Sequence, residues 1–315
     1  MSALTVVRYD ASRKAAWDAF VAASKNGTFL FFRDYMEYHS DRFRDHSLLV
    51  FDGTELKAIF PANEKDGALV SHGGLTYGGF VSGPDMTTPG MLAAFDAVLG
   101  YMKGAGLARL RYKAVPRIYH KLPADEDLYA LFVHGAKLIK RDVSSASASS
   151  APLEFSELRV RSVKKARKGG LAVERACDFE SFIAIQAEVL AAKGAKPVHS
   201  AAELAKLAGR FPENIKLFAA RRPGGPMLGG IVIFESEFVA HAQHIASSME
   251  GKETGAIDLI VEHLMRDVYR DKRYFDLGTS MNPDGPGLNE GLIKQKEMFG
   301  ARACAYDTYE LELKS

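Results

Sequence analysis

RYFDLGTSMNPDGPGLNEGLIKQKEMFGARACAYDTYELEL, residues 273–313, reads as strand, open loop, helix and strand. Tyr274, Phe275 and Leu277 predict a short buried strand with one charge, Asp276, set inside it. Gly278 ends that strand, and Asn282, Pro283, Asp284, Gly285, Pro286 and Gly287 forbid regular structure. Leu288, Leu292, Gln295 and Phe299 recur at helical spacing until Gly300 stops the helix. Tyr309, Leu311 and Leu313 then alternate with Glu310, Glu312 and Lys314, the pattern of a half-buried strand. A polar loop outside the carboxyl end of a buried strand is where α/β sheets hold ligands. Asp276, Asn289, Lys294 and Lys296 crowd that end, which favours a site over a plain surface loop.

The 315 residues, 47% of them hydrophobic, suffice for two cores of ordinary size. A net charge of +2 is too small a field to argue for DNA as a partner. No apolar run approaches the ~20 residues that span a bilayer, and MSALTVVRYDASRK lacks the apolar block of a signal peptide. Cys177 and Cys304 have no metal-ligand spacing around them, so two free thiols in a reducing cytoplasm are expected.

Outward from the terminal segment the chain reads as two halves. Trp17, Phe20 and Val21 share one face of a helix, and FLFFRDYMEYH (29–39) predicts a second helical segment. Strands at 47–51 and 56–60 meet across Asp52-Gly53, a strong hairpin signal. A third strand near 68–71 runs into HGGLTYGGFVSGP (72–84), and Pro89 opens a helix over Leu92, Phe95, Leu99 and Met102. A strand at 107–114, a short helix after Pro123 and a strand at 137–144 complete the half. SSASASSAP (144–152) reads as a seam with little to bury. The second half predicts a basic helix with Arg161, Lys164, Lys165, Arg167 and Lys168, then helices at 178–193 and 201–210. Strands at 215–220, 228–235 and 238–246 precede a helix from Gly255 to Tyr269. The shared order of elements predicts two copies of one α/β unit, residues 1–150 and 151–315, with a cleft between them.

Three constellations carry chemistry. Ser71-His72-Gly73-Gly74-Leu75-Thr76-Tyr77-Gly78-Gly79 holds four glycines that let backbone approach a ligand and supply N–H donors. A glycine-rich turn around a hydrogen-bonded histidine is the alternative reading. In His241-Ala242-Gln243-His244, strand alternation places His241 and Gln243 on one face and His244, as a core histidine, on the other. No third ligand lies at short range, so no metal is expected. Lys252-Glu253-Thr254-Gly255-Ala256, at a helix start, offers free N–H groups to a phosphate. The chain has no nucleotide P-loop, no dinucleotide glycine fingerprint and no Gly-x-Ser-x-Gly elbow.

The double unit resembles tandem acyltransferases of the GNAT superfamily, in their FemAB-like branch. YFDLG at 274–278 and KEMFG at 296–300 are similar to that branch's closing pattern, an Asp-Gly strand end followed by a lysine shortly before Phe-Gly. WDAFVAASKNGTFLF (17–31), SHGGLTYGGF (71–80), IYHKLPADEDLYALF (118–132) and LNEGLIKQKEMFG (288–300) resemble bacterial members found with surface-polysaccharide sugar genes. The resemblance implies an α/β chain of two tandem GNAT-like domains with a shared cleft, the first on the acceptor side and the second on the acyl-CoA side. It implies transfer of an acyl group from a coenzyme A thioester to an amine. Lys252-x-x-Gly255 matches half of the superfamily's pyrophosphate loop, Gln/Arg-x-x-Gly-x-Gly/Ala, and Ile257 departs from it.

A neutral amine attacks a thioester directly, so such a chain must position both partners, take a proton and meet an oxyanion. His72 is the first choice for the proton step and His241 the second, while the resemblance gives Lys296 the charge-stabilising role. Gly73, Gly74, Tyr77, Lys113, Tyr119, His120 and Asp276 are expected to hold the acceptor, a nucleotide-linked amino sugar. Gln243, Ser247, Gly255, Ala256, Gly278 and Asn289 are expected to hold the donor. Two rivals stay open. One is aminoacyl transfer from charged tRNA to a cell-wall precursor, against which stand the small net charge and the lack of a long helical insertion. The other is a non-catalytic module that binds a sugar nucleotide.

Overall fold

A computed structural model describes residues 4–191, 194–282 and 287–313. The chain forms two compact units, Met1–Asp142 with Ala305–Ser315, and Val143–Cys304.

In the first unit, Thr5–Arg8 pairs antiparallel with Leu48–Asp52, which turns back as Glu55–Phe60, with Val81–Ser82 at the far edge. Gly53 makes the hairpin turn at φ 59°, a conformation that suits a residue without Cβ. A second set of strands runs Arg44–Asp45, Asn63–Lys65, Ala68–Val70, Arg109–Lys113 and then Arg302–Glu312, whose residues from Ala305 belong to this unit. Helix Thr88–Gly104 starts where Thr87 caps the Gly90 N–H, with Pro89 in its first turn, and buries Met91, Phe95, Val98 and Met102. The core centres on Tyr112. Its ring lies 5.7 Å from Phe60 and 5.8 Å from Phe95, and its hydroxyl donates to Asp127 at 2.5 Å while accepting the Phe80 N–H at 2.7 Å. Residues 29–39 form a short helix, Arg33–Met36, between two tight 3-10 turns rather than one helix.

In the second unit the sheet runs Ala172–Ala176, Ile215–Arg221, Met227–Glu235, Val239–Ser247, Tyr274–Thr279 and the part of Lys137–Ala148 from Val143. One face is covered by Ala256–His263, whose Ala256, Leu259 and Ile260 are buried in an apolar core with Ile231, Ile233, Phe275 and Leu277. The other carries Phe179–Ala191, with Phe182 so close to Gly230 that a Cβ there would lie 2.7 Å from the ring. The first part of the expected seam at 144–152, up to Ala148, is instead a strand within this sheet. Ser144, Ser145 and Ser147 are buried because Ala148 to Ser144 pair with Tyr274 to Thr279, where small hydroxyl side chains fit against the neighbouring strand.

Two boundaries also differ from the sequence expectation. The helix expected from Gly255 begins at Met249, capped by Ser248, and breaks at Gly255 in a left-handed conformation (φ 82°) before continuing as Ala256–His263. The last strand begins at Arg302 rather than near Tyr309. Pro283, Asp284, Gly285 and Pro286 of the polar loop lie outside the described residues. At the loop's ends, the Asn282 N–H donates to Gly287 O at 2.9 Å, and Asn289 Oδ1 caps helix Glu290–Glu297 through the Leu292 N–H.

Candidate active site

In the second unit, strands Val239–Ser247 and Tyr274–Thr279 run parallel, and their register covers only Val239 with Tyr274, Ala240 with Phe275 and His241 with Asp276. The parallel ladder ends at that last pair, His241 with Asp276. Asp276 is fully buried at this point. Its Oδ2 lies 2.8 Å from His241 Nδ1, and its Oδ1 accepts from Ser144 Oγ at 2.5 Å and from the Gly278 N–H at 3.0 Å. A carboxylate on Nδ1 makes that nitrogen the donor and leaves the lone pair on Nε2, the tautomer a general base requires.

Lys296, on helix Glu290–Glu297, is buried and donates to Gly278 O at 2.8 Å and Thr279 O at 2.7 Å. Burial pulls its ammonium down to about 8, with the Asp276 charge partly opposing that shift. Gly278 adopts φ 79°, and a Cβ built on it would lie 3.7 Å from His241 Cε1 and 4.0 Å from Lys296 Nζ. A side chain at Gly278 would therefore stand in contact with the imidazole of His241 and close to the ammonium of Lys296.

Between Val232–His244 and Ile233–Ala242 the neighbouring strand register slips by one, so Gln243 is the extra residue of a β-bulge. The bulge brings His244 onto the face shared by His241, against the alternation expected from the sequence. There His244 Nε2 meets His199 Nδ1 at 3.1 Å, and its Nδ1 meets Gln186 Nε2 at 3.5 Å. Burial, with His199 and His241 adding to it, pushes the His244 ring down to about 3. A cavity of about 740 Å³ adjoins the carboxyl end of strand Val239–Ser247. It is lined by Ile245, Ala246 and Ser247, by Gly251 and Lys252 of the following helix, and by Arg159 and Phe299.

No family model matches the chain, and no curated protein matches it. Among solved structures, the fold is similar to FemX, with 13% identity over 98% of this chain and 97% of that one at a TM-score of 0.69. L-PGS from Bacillus licheniformis matches at 10% identity, 95% and 91% coverage and 0.61, and a tandem GNAT protein from the clavulanic acid biosynthesis pathway at 11%, 99% and 99%, and 0.50. The chain has a tandem GNAT fold of the FemAB-like kind.

Within this GNAT fold the second unit brings together His241, Asp276, Gly278 and Lys296, with Gln243 two residues beyond His241. Ser247 lines the cavity, its hydroxyl on Leu228 O at 3.3 Å. Gly255 and Ala256 are packed inward: a Cβ on Gly255 would meet Ser162 Oγ at 2.5 Å, and Ala256 is fully buried in the core. Asn289 is engaged as a helix cap. Lys294, by contrast with Lys296, is exposed.

The first GNAT unit gathers the other expected residues around the glycine-rich stretch. His72 is buried at φ 40°, its N–H on Val70 O at 2.6 Å and its ring 5.4 Å from Phe43. Gly73 donates to Asn63 Oδ1 at 2.6 Å, Gly74 follows half-buried, and Lys113 Nζ donates to Leu75 O. Burial brings the Lys113 ammonium to about 8. The Tyr77 hydroxyl donates to Thr28 Oγ1 at 3.1 Å, its ring lies 4.5 Å from Tyr119, and Tyr119 shares a hydroxyl contact of 3.1 Å with Tyr306. The His120 ring sits on Val115 O at 3.0 Å, its pKa lowered by burial.

Sequence reasoning missed Ser144, Gln186 and His199. Ser144 lay inside a stretch whose composition mimics a linker. Gln186 and His199 are distant in sequence from the strand they meet, and no local spacing marks them.

Proposed function

We propose that this chain is an N-acyltransferase that moves an acyl group from acyl-coenzyme A to the amine of a small acceptor, with a nucleotide-linked amino sugar as the acceptor class. The observation that carries this reading is the His241–Asp276 pair, 2.8 Å apart, beside the Lys296 ammonium where the parallel strand pair ends. His241 Nε2 takes the proton of the attacking amine as the new C–N bond forms at the thioester carbonyl. Lys296 faces the negative charge that develops on the carbonyl oxygen. When the C–S bond breaks, the imidazolium returns its proton to the departing thiolate, so no net charge is left.

The residues present fit such a donor. The cavity of about 740 Å³ has an apolar wall of Ile245, Ile257 and Phe299 for its arm, and Lys252 and Arg159 to meet its phosphates. Arg159 is already tied to Asp258 at 2.6 Å and stacked 4.5 Å from the Phe299 ring, which presets its position.

A second reading, transfer of an aminoacyl group from charged tRNA, is supported by the exposed basic face of helix Glu157–Lys168, with Arg161, Lys164 and Lys168 turned to solvent. One experiment separates the two. The purified chain is incubated with a panel of acyl-coenzyme A donors and UDP-linked amino sugars, and released thiol is followed with a thiol reagent; charged tRNA replaces the donor in a parallel arm. Amine-dependent thiol release that disappears in His241→Asn and Lys296→Met is the expected result. Product formation only in the tRNA arm establishes the second reading.

A further inference from the structure

Helix Glu157–Lys168 buries Val163 and Ala166 and turns its opposite side to solvent. Arg161, Lys164, Lys165 and Lys168 stand on that exposed side, at the spacing that keeps side chains on one helical stripe. Lys165 Nζ donates to Glu253 O at 2.7 Å, and none of the four pairs with a carboxylate among the described residues. The helix's other two cations are balanced, Arg159 by Asp258 at 2.6 Å and Arg167 by Glu262 at 2.7 Å. Glu157 is the one acid of the helix. The same stripe begins with Leu158, 52% exposed, which lines the cavity of about 740 Å³ together with Arg159. From Leu158 to Lys168 it runs about 15 Å.

Positive charge is divided between the cavity and the stripe. Within the cavity Arg159 is already neutralised, and Lys252 is the one lining cation without a carboxylate among the described residues. One such cation suits one phosphodiester. Four more lie outside, along a ridge one helix wide, where they face whatever carries the arm rather than the arm itself. A charged ridge of this kind steers encounter with a partner of opposite sign. A polynucleotide is one such partner, and its terminal bases call for an aromatic face to stack on. Phe299, the one aromatic ring lining the cavity, is covered by the Arg159 guanidinium at 4.5 Å. The apolar lining of Leu158, Ile245 and Ile257 fits a flexible chain instead.

We propose that the stripe of Arg161, Lys164 and Lys168 docks an acidic carrier protein, which delivers its acyl thioester on a phosphopantetheine arm threaded past Leu158 into the cavity. This rests on the acyl-transfer reading and names the macromolecule that bears the donor. Coenzyme A ends in the same arm and serves as its smaller substitute. The transfer balances with either bearer. The amine nitrogen bonds to the carbonyl carbon, the C–S bond breaks, the amine's proton passes to the thiolate, and the free thiol leaves on the carrier.

The test uses the full chain, a UDP-linked amino sugar and one acyl group on two donors, coenzyme A and a small acidic acyl carrier protein. Released thiol is followed for both, and fluorescence anisotropy follows binding of the carrier. Arg161→Glu, Lys164→Glu and Lys168→Glu are combined, since all three positions are exposed and Tm is expected to stay unchanged. The triple variant is expected to lose at least about tenfold in kcat/KM with the carrier thioester and less than about twofold with acyl-coenzyme A. Raising salt from about 0.05 M to about 0.5 M is expected to slow the carrier reaction selectively in wild-type chain. A carrier with lysines in place of the acids of its docking helix restores the rate of the triple variant. A carrier thioester that is inert while acyl-coenzyme A reacts overturns the proposal, as does a triple variant that keeps the carrier rate or loses equally on both donors. Charged tRNA binding that the same variant abolishes, with no carrier bound, also overturns it and gives the face to nucleic acid. Carrier bound through the stripe with no thiol released from either donor defeats the acyl-transfer reading and leaves the docking surface standing.

Discussion

Asp276 and His241 face one another at 2.8 Å across the last registered pair of two parallel strands, so the imidazole is anchored at the point where the parallel ladder ends. Asp276 is in turn held by Ser144 Oγ and the Gly278 N–H, which fixes the ring's tautomer and its direction together.

His241→Asn keeps a polar side chain of similar reach on the strand and removes the base. Amine-dependent kcat/KM is expected to fall by about 10²–10⁴ with Tm little changed. Asp276→Ala instead leaves Ser144, the Gly278 N–H and the His241 ring without their buried partner, and a loss of roughly 1–3 kcal/mol or more accompanies the loss of turnover. Thermal unfolding alongside initial rates distinguishes the two effects.

Lys296→Met is expected to fold and to lose at least about a hundredfold in kcat/KM, equivalent to roughly 3 kcal/mol of transition-state stabilisation. Lys294→Met, on an exposed position of the same helix, is expected to keep wild-type rates. Equal rates in both variants would remove Lys296 from the chemistry.

The pH dependence of Lys296 follows from its burial. Its pKa is about 8 in the folded chain, against about 10.4 for an exposed lysine. Between those values the unfolded chain holds the proton and the folded chain does not, so stability from this group rises as pH goes from 8 to 10, while below 8 the buried charge opposes folding. Wild-type chain is expected to gain a few kcal/mol at most relative to Lys296→Met across that window, read by denaturant titration at each pH. Turnover moves the opposite way, falling above pH 8 as the ammonium is lost. Lys296→Arg, where it folds, abolishes that alkaline limb.

Gly278→Ala puts a methyl group in contact with the His241 ring and near Lys296, and forces an L side chain to φ 79°. A stability loss of about 1–2 kcal/mol is expected from the backbone alone, with turnover reduced well beyond what the change in Tm explains.

In the first unit, Tyr112→Phe strands the Phe80 N–H and Asp127, whose carboxyl burial has pushed up to about 7. A loss of roughly 1–3 kcal/mol is expected. Because folded Asp127 holds its proton up to about pH 7 and the unfolded chain releases it near 3.9, its contribution to stability declines as pH rises from 4 to 7. Calorimetric binding of coenzyme A to this variant is expected to match wild type.

Local order was legible in the residues themselves. Asp52-Gly53 specifies a hairpin because a glycine takes φ 59° without strain, Pro89 specifies a helix start because its missing N–H needs no partner there, and Tyr274, Phe275 and Leu277 specify a short buried strand that Gly278 follows. The burial of Lys296 and the exposure of Lys294 also follow from helical spacing beside Phe299. The rest needed strands far apart in sequence to find their register. Only that pairing brings Ser144 to Asp276 across 132 residues, places a bulge at Gln243 that turns His244 onto the face of His241, and draws 144–148, linker-like in composition, into the sheet. It also sets Gly255 against Ser162, so that a position read as a ligand loop is a helix contact. Periodicity reports which face of an element is apolar. Which polar groups meet across a sheet is decided by hydrogen-bond register, and one inserted residue reverses it.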